Sequence, residues 1–290
     1  MARAFFFALL LACCQTVFAA GQLYRVTHEG RTSYLYGTVH VGRDGAYPLD
    51  DVATRALLDS KALVIELDIR EDKAFQLALA RHARYPEGDA VQHHLTPDTL
   101  QKMVQALARA GIPLSSVQQY KPWLIANLLV GAELDRNGYQ RSQAVEYALL
   151  AAAQKQDKTV RELESADYQL GLFDSLDERQ QEQYLLENLA DLADGDSLKK
   201  SQALLEAWRV ADGAGINAAW KSATSGDSVS AAFMNRVLLG KRNPEMAANI
   251  ERIMQQDQVA FVGVGLLHLV GDDGLPQLLK RRGYQVEQLY

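Results

Sequence analysis

Two apolar runs, one near each end of the chain, reach a glycine and then a histidine three residues later. The first is Tyr34-Leu-Tyr-Gly-Thr-Val-His-Val-Gly42, with Gly37 and His40; the second is Phe261-Val-Gly-Val-Gly-Leu-Leu-His-Leu-Val-Gly271, with Gly265 and His268. A buried strand that stops at glycine can turn sharply, because glycine has no Cβ to restrict its backbone. The histidine then falls just past the strand's carboxyl end, where open α/β sheets place their ligands. Two such segments, 228 positions apart, predict that the two ends of the chain meet at one site.

The rest of the chain is compatible with such a sheet. With 290 residues, 48% of them hydrophobic and 23% charged, it can bury a sizeable core. Its formal net charge of −6 argues against general nucleic-acid binding, which needs a basic patch. The first residues read as an export leader. Met1-Ala-Arg-Ala4 is a short basic start, Phe5–Ala12 is apolar, and Val17-Phe-Ala19 supplies the small residues for cleavage after Ala19. The apolar run is too short to span a bilayer. A second reading takes Leu10-Leu-Ala-Cys13 as a lipobox, which would anchor the protein through a lipidated Cys13. Both readings take the protein out of the cytoplasm, to the periplasm or the medium. Cys13 and Cys14 are the only cysteines, so the chain from Ala20 onward can form neither a disulfide nor a thiolate metal site.

Along the chain, Gln22–Thr27 and Thr32–Val39 flank Glu29-Gly30 as a hairpin. A polar loop, Gly42–Tyr47, leads to Pro48 and Asp50, which open a helix through Leu58. Ala62–Asp68 reads as a strand, which completes a βαβ unit. The middle is helical: Thr96-Pro97 starts one helix and Gly111 stops it, and Lys121–Leu134 and Ser142–Gln156 follow. Thr159–Leu163 is a short strand. Ala166–Gln256 reads as helix, broken near Ala193–Ser197, Asp212–Gly215 and Ser222–Ser228. Val259–Val264, a helix over Gly274–Arg282 and a strand over Tyr284–Leu289 return to α/β. The prediction is one α/β domain over residues 20–290, with a mixed sheet from N- and C-terminal βα units and a helical insertion over roughly residues 95–256.

His40 and His268 are candidate metal ligands, since neutral imidazole is the commonest protein ligand and pairs readily with a carboxylate. Glu66 and Asp68, two apart, are expected on one face near the end of their strand. A carboxylate on the otherwise apolar Leu63-Val-Ile-Glu-Leu67 needs a metal, an arginine or a proton to meet it, and Glu66 is the better ligand of the two. Glu164 is either an outer base or the cap of the helix starting near Ala166. Arg242-Asn243 sits where Pro244 interrupts a helix. An arginine there can stabilise an oxyanion, although the residue alone reads more readily as a solvated surface charge. His28, His82, His93 and His94 lie in polar settings and are set aside. No Gly-x-Ser-x-Gly, P-loop, His-Glu-x-x-His or Gly-x-Gly-x-x-Gly is present.

The ordered set Tyr34–Gly42, Val64-Ile-Glu-Leu-Asp68, Lys121-Pro-Trp123, Glu162-Leu-Glu-Ser165, Lys241-Arg-Asn243 and Val264–Leu275 resembles the TraB/GumN family, to which the PrgY pheromone-shutdown proteins and the animal Tiki proteins are related. The resemblance covers the chain beyond the leader. It implies a fold like the erythromycin esterases and Tiki, and a metal-dependent hydrolase of peptidase type using Mn²⁺ or Co²⁺, with Zn²⁺ as an alternative. Carried over by motif, His40, Glu66 and His268 would be metal or catalytic residues, Glu66 as ligand or general base, with Arg242 and Asn243 lining the same cleft. Where relatives often have Gly-Val-Asp, this chain has Ala144-Val-Glu146, and where they often have Leu-Glu-Thr it has Leu163-Glu-Ser165. Both departures weaken a role for Glu146 or Glu164. Two other functions stay open on the residues: an esterase or lactonase on the same fold, and a non-catalytic envelope protein that binds peptide, polysaccharide or haem.

Overall fold

The computed structural model describes residues 21–43, 49–68, 70, 72–257 and 259–290. The expected leader over residues 1–19, Cys13 with it, lies outside the described residues, as do Pro48 and residues 44–47 of the polar loop. Among the described residues no helix is long and apolar enough to cross a membrane.

The chain first forms the expected hairpin, β1 (Leu23–His28) with β2 (Arg31–Thr38). Glu29 and Gly30 turn it with φ of 49° and 76°, the two left-handed residues that a tight two-residue hairpin needs. Four further strands complete the sheet: β3 (Ala62–Ile65), β4 (Thr159–Glu162), β5 (Ala260–Gly265) and β6 (Gln285–Gln288). Their order is β4-β3-β5-β2-β1-β6. β4, β3, β5 and β2 run parallel, whereas β1 and β6 add antiparallel pairs at one side. The mixed α/β sheet predicted from the two ends of the chain is therefore present. β5, buried over its whole length, lies between β2 and β3. Its register sets Thr38 opposite Gly265 and Ile65 opposite Gly263. Parallel pairing brings the carboxyl ends of all four strands to one edge.

Alternation along the strands divides the core between the two faces. Tyr36, Leu63, Ile65 and Phe261 pack with Leu57, Leu149 and Trp208 on one side. Leu35, Val64, Val262 and Val264 pack with Met246, Ile250 and Leu279 on the other. The helix Val145–Lys155 comes so close that a Cβ on Gly263 would lie 3.0 Å from Leu149. Trp208 Nε1 donates to the Gly37 carbonyl at 2.8 Å, tying the helical insertion to the first glycine–histidine turn. The insertion has its own core as well, built on Met103, Leu107, Ile125, Leu129 and Leu185.

Several boundaries differ from the sequence reading. The strand expected over Ala62–Asp68 ends at Ile65, so Glu66 and Asp68 do not share a strand face. Instead Asp68 accepts from the Arg70 amide and guanidinium, a local turn contact away from the crevice. The long helical stretch has an extra break at Ser175–Asp177, where Asp177 and Gln180 form a reciprocal cap. It also contains a π-helical turn over Met234–Leu239, a feature that hydrophobic periodicity does not encode. The helical run does break near Arg242-Asn243, at Gly240–Lys241, a little ahead of Pro244. Pro244 itself sits in the first turn of the helix Arg242–Asp257, where its missing N–H has no partner to lose. The short strand expected over Thr159–Leu163 is present as β4, and it extends the sheet beyond β3.

Gly42 joins the segment after His40 to the one before Glu146. Gly42 N donates to the Gln140 carbonyl at 3.0 Å, and Gln140 N donates back at 2.7 Å. A Cβ on Gly42 would stand 2.1 Å from the Gln143 carbonyl oxygen, and that backbone cannot retreat cheaply. Gly42→Ala is expected to cost about 2 kcal/mol or more and to lower the thermal midpoint by roughly 4–8 °C. Scanning calorimetry checks this; an unchanged midpoint would show that the bridge does not hold the loop.

Candidate functional site

The parallel register brings both glycine–histidine turns to the same edge of the sheet. His40 follows β2 by two residues, and His268 sits in a short 3-10 turn, Leu266–Leu269, directly after β5. Glu66 leaves the end of β3 from the other side. A Cβ placed on Gly265 would lie 3.1 Å from Glu66 Oε1, 3.3 Å from His40 Nε2 and 3.6 Å from the His268 ring. Glycine at this position keeps open a small space that all three side chains face. His268 Nε2 lies 3.8 Å from Glu66 Oε1.

Each histidine is held through Nδ1 by a different acceptor. His268 Nδ1 lies 2.5 Å from Asn243 Oδ1, and Asn243 Nδ2 donates to the Asp273 carbonyl at 2.8 Å. Because the Asn243 amide must donate to that carbonyl, its oxygen faces the ring. His268 therefore carries its proton on Nδ1 and bares Nε2 to Glu66. His40 Nδ1 lies 2.7 Å from Glu146 Oε1; a carboxylate only accepts, so Nδ1 is again the donor and Nε2 is turned to the crevice. Thr38 Oγ1 donates to the same Glu146 oxygen at 2.7 Å.

Glu66 is fixed on both oxygens. Oε1 accepts from Gly265 N at 2.5 Å; Oε2 accepts from Arg242 Nη2 at 2.5 Å and Gln169 Nε2 at 3.3 Å. Arg242, only 8% exposed, also forks onto Glu164 through Nε and Nη2, at 3.0 and 2.7 Å. The reading of Arg242 as a solvated charge is thus corrected: the π-helical turn and the helix start deliver it into a buried pair of carboxylates. Glu164 does not cap the following helix. Ser165 does so, its Oγ accepting from Tyr168 N.

The charges respond to these surroundings. Burial pushes His268 down to about 4, because an imidazolium there would lose its water. Burial also favours the neutral acid of Glu66, but the charges at His268, Arg242 and His40 and the Gly265 N–H outweigh it and hold Glu66 down to about 2. At neutral pH His268 is uncharged, and Arg242, His40 and the amide are what remains to favour the Glu66 carboxylate. His40 is the opposite case: the Glu146 carboxylate beside it outweighs loss of water at the inner edge of the ring and raises it to about 9. The His40 side chain as a whole remains 66% exposed, at the mouth of the crevice.

Of the residues predicted for a site, His40, Glu66, Arg242, Asn243 and His268 are brought together, and Asp68 is left out. Glu164 and Glu146, weakened by their departures from the family pattern, both belong to the cluster. Thr38, Gln169 and the Gly265 amide were not foreseen. Glu146 did have a signal: with Leu149, Leu150 and Ala153 it falls on one buried stripe of its helix, where a carboxylate needs a partner. Among the described residues, no three or more His, Cys, Asp or Glu side chains form a group at metal-ligand spacing.

The comparisons with known proteins agree with the resemblance drawn from the motifs. A model described as the TraB/PrgY/gumN family matches residues 22–288. Among curated proteins, the chain is similar to the uncharacterized protein YbaP of Shigella flexneri and to that of Escherichia coli (strain K12). Each is 26% identical over 258 residues, covering 86% of this chain and 88% of the relative. No solved structure matches.

Two outcomes follow from the charge arrangement. Arg242→Met leaves two buried carboxylates facing each other without their cation and is expected to cost about 3–5 kcal/mol, read from urea unfolding. His268 has a folded value below its unfolded value of roughly 6.5. The stability it contributes is therefore present above that value and declines as pH falls toward about 4. His268→Gln should flatten the loss of urea midpoint between those pH values; an identical pH profile in wild type and variant would contradict a buried neutral imidazole.

Proposed function

The chain belongs to the TraB/PrgY/gumN family, and we propose that it works as a metal-dependent hydrolase of a peptide bond, with the crevice beside Gly265 as its reacting centre. The observation that carries this reading is the anchoring of both imidazoles through Nδ1, which leaves the far edges of both rings and Glu66 Oε1 facing one space. Histidines held in this way by a carboxylate or an amide are the usual support of a metal ligand. Two imidazoles and a carboxylate also suit Mn²⁺, Co²⁺ or Zn²⁺. The donor set fits in kind, with His40, His268 and Glu66 as the residues that would hold the ion, although the three side chains would have to approach one another to reach ligand spacing.

When bound, such an ion would polarise a carbonyl and acidify a water. The chain's own residues do the rest. Asn243 and Glu146 orient the rings, and the Gly265 amide and Arg242 hold Glu66 in place. At about 2 Glu66 is a poor general base, since an effective base sits near the working pH; ligand is the role it suits. Arg242 acts on Glu66 and Glu164 rather than offering its donors freely to an oxyanion. Because His40 titrates near 9, its Nε2 must lose a proton before it can bind a cation, and binding should release protons below that pH. The leader read from residues 1–19 adds export, to the periplasm or the medium, to the same proposal. N-terminal sequencing of the exported protein tests that part: a start at Ala20 supports it, whereas retention of the first residues removes it.

Calorimetric titration of chelator-stripped protein with Mn²⁺, Co²⁺ and Zn²⁺ tests the metal. The expected result is about one ion per chain for wild type, lost in His40→Ala/His268→Ala with the fold retained. Equal weak binding by both would remove the proposal, and absence of peptide hydrolysis by a loaded protein that cleaves esters would transfer it to an esterase. Gly265→Ala is a finer probe. Its methyl enters the space between Glu66 and His40 and should weaken binding at least tenfold; unchanged affinity would place the ion elsewhere.

A further inference from the structure

We propose that Glu146 is a positioning residue of the crevice, fixing His40 in its Nδ1–H form with Nε2 turned toward Gly265 and Glu66. Glu146 is only 8% exposed, in the first turn of the helix Val145–Lys155. Its Oε1 accepts from both Thr38 Oγ1 and His40 Nδ1, each at 2.7 Å. Its Oε2 is sealed from solvent and, among the described residues, has no hydrogen-bond partner. An unpartnered buried oxygen is costly to keep, so the carboxylate makes its strong contacts through Oε1 alone. A substrate cannot reach Oε2, and the residue acts through His40.

His40 needs such a partner. Its ring stands 66% exposed at the mouth, and among the described residues Glu146 makes its only hydrogen bond. An exposed imidazole without that bond would be free to turn about its ring torsion and to exchange tautomers. A charged acceptor selects one orientation more strongly than a neutral one. Thr38 occupies a second direction on Oε1 and keeps the carboxylate aimed. Thr38 itself lies opposite Gly265 in the β2–β5 register, so the pairing that assembles the crevice also aims its first histidine. His268 obtains the same orientation from Asn243, an uncharged amide.

The consequence for catalysis rests on the hydrolase reading, whereas the structural test does not, because it uses metal-free protein. Proton and nitrogen NMR of ¹⁵N-histidine-labelled protein reads the His40 Nδ1–H directly. Glu146→Leu should abolish the protected, downfield Nδ1 proton of His40, with the fold checked by circular dichroism. Glu146→Gln, which keeps the shape and adds a safeguard should the leucine variant fail to fold, should move that proton upfield because its acceptor is neutral. Wild-type signals in a folded Glu146→Leu, or failing that in Glu146→Gln, overturn the proposal. In the Mn²⁺ titration, Glu146→Gln should bind roughly tenfold more weakly. If the wild type takes up no Mn²⁺, the hydrolase reading falls while the NMR result still decides the role of Glu146.

Discussion

Everything at the candidate site depends on one strand pairing, β2 alongside β5 in parallel, with Thr38 opposite Gly265. Parallel strands must be joined by crossovers, and here the connection between the two neighbours contains most of the chain. The pairing therefore carries a large loop-closure entropy to bring two short segments together. As a result, four carboxyl ends share one edge, and β5 stands between the strand that delivers His40 and the strand that delivers Glu66. A shift of β2 by one residue would send Thr38 to the opposite face and separate Glu146 from its hydroxyl donor. The fully buried β5, together with Leu35 and Tyr36 of β2, makes such a shift costly.

Arg242 is the second constraint. Two carboxylates, Glu66 and Glu164, approach the same guanidinium in a region nearly closed to water. Removing water from three charges is expensive, and their mutual attraction offsets that only when the hydrogen bonds are well formed. The forked geometry and the extra donor from Gln169 supply those bonds. Gln169 is set by the helix Ala166–Asp174, which is held from behind by Trp123 stacked on Phe173 and by Lys121 paired with Asp174. The Lys121-Pro-Trp123 motif thus reaches the crevice through packing, without touching it.

The sequence carried the frame of this arrangement because the frame is local. Apolar runs ending at Gly37 and Gly265 mark buried strands, and Thr96, Pro97 and Gly111 mark helix ends; each signal operates within a few residues. That the two histidines meet was legible from the repeated glycine–histidine spacing. The partners of those histidines were less so. Arg242 and Asn243 open a helix that follows a π-helical turn, and no periodicity announces a π turn. Glu164 is aimed by a pairing with a residue 78 positions away. Asp68 failed for a local reason: β3 stops pairing at Ile65, so the period-two rule no longer applied beyond it. Glu146 is legible in principle, as a carboxylate on an apolar helix stripe, whereas its departure from the family pattern points the other way.

The formal charges of the assembled site bear on what it can hold. Glu66, Glu146 and Glu164 face one guanidinium and, while His40 keeps its proton, one imidazolium; His268 is neutral. This leaves a single negative charge around a small space whose inner wall of Glu66, Glu164, Arg242 and His268 is nearly closed to water, where uncompensated charge is costly. A divalent cation that displaced the His40 proton would bring the sum to zero, whereas a monovalent one would leave the negative charge in place. The same arithmetic disfavours an anionic group at the centre. Glu146 has a part in this balance as well as in geometry: a neutral residue there would leave the metal-loaded site positive. The two otherwise similar histidines thus differ in charge for different reasons, His40 because of the Glu146 carboxylate beside it and His268 because of its burial.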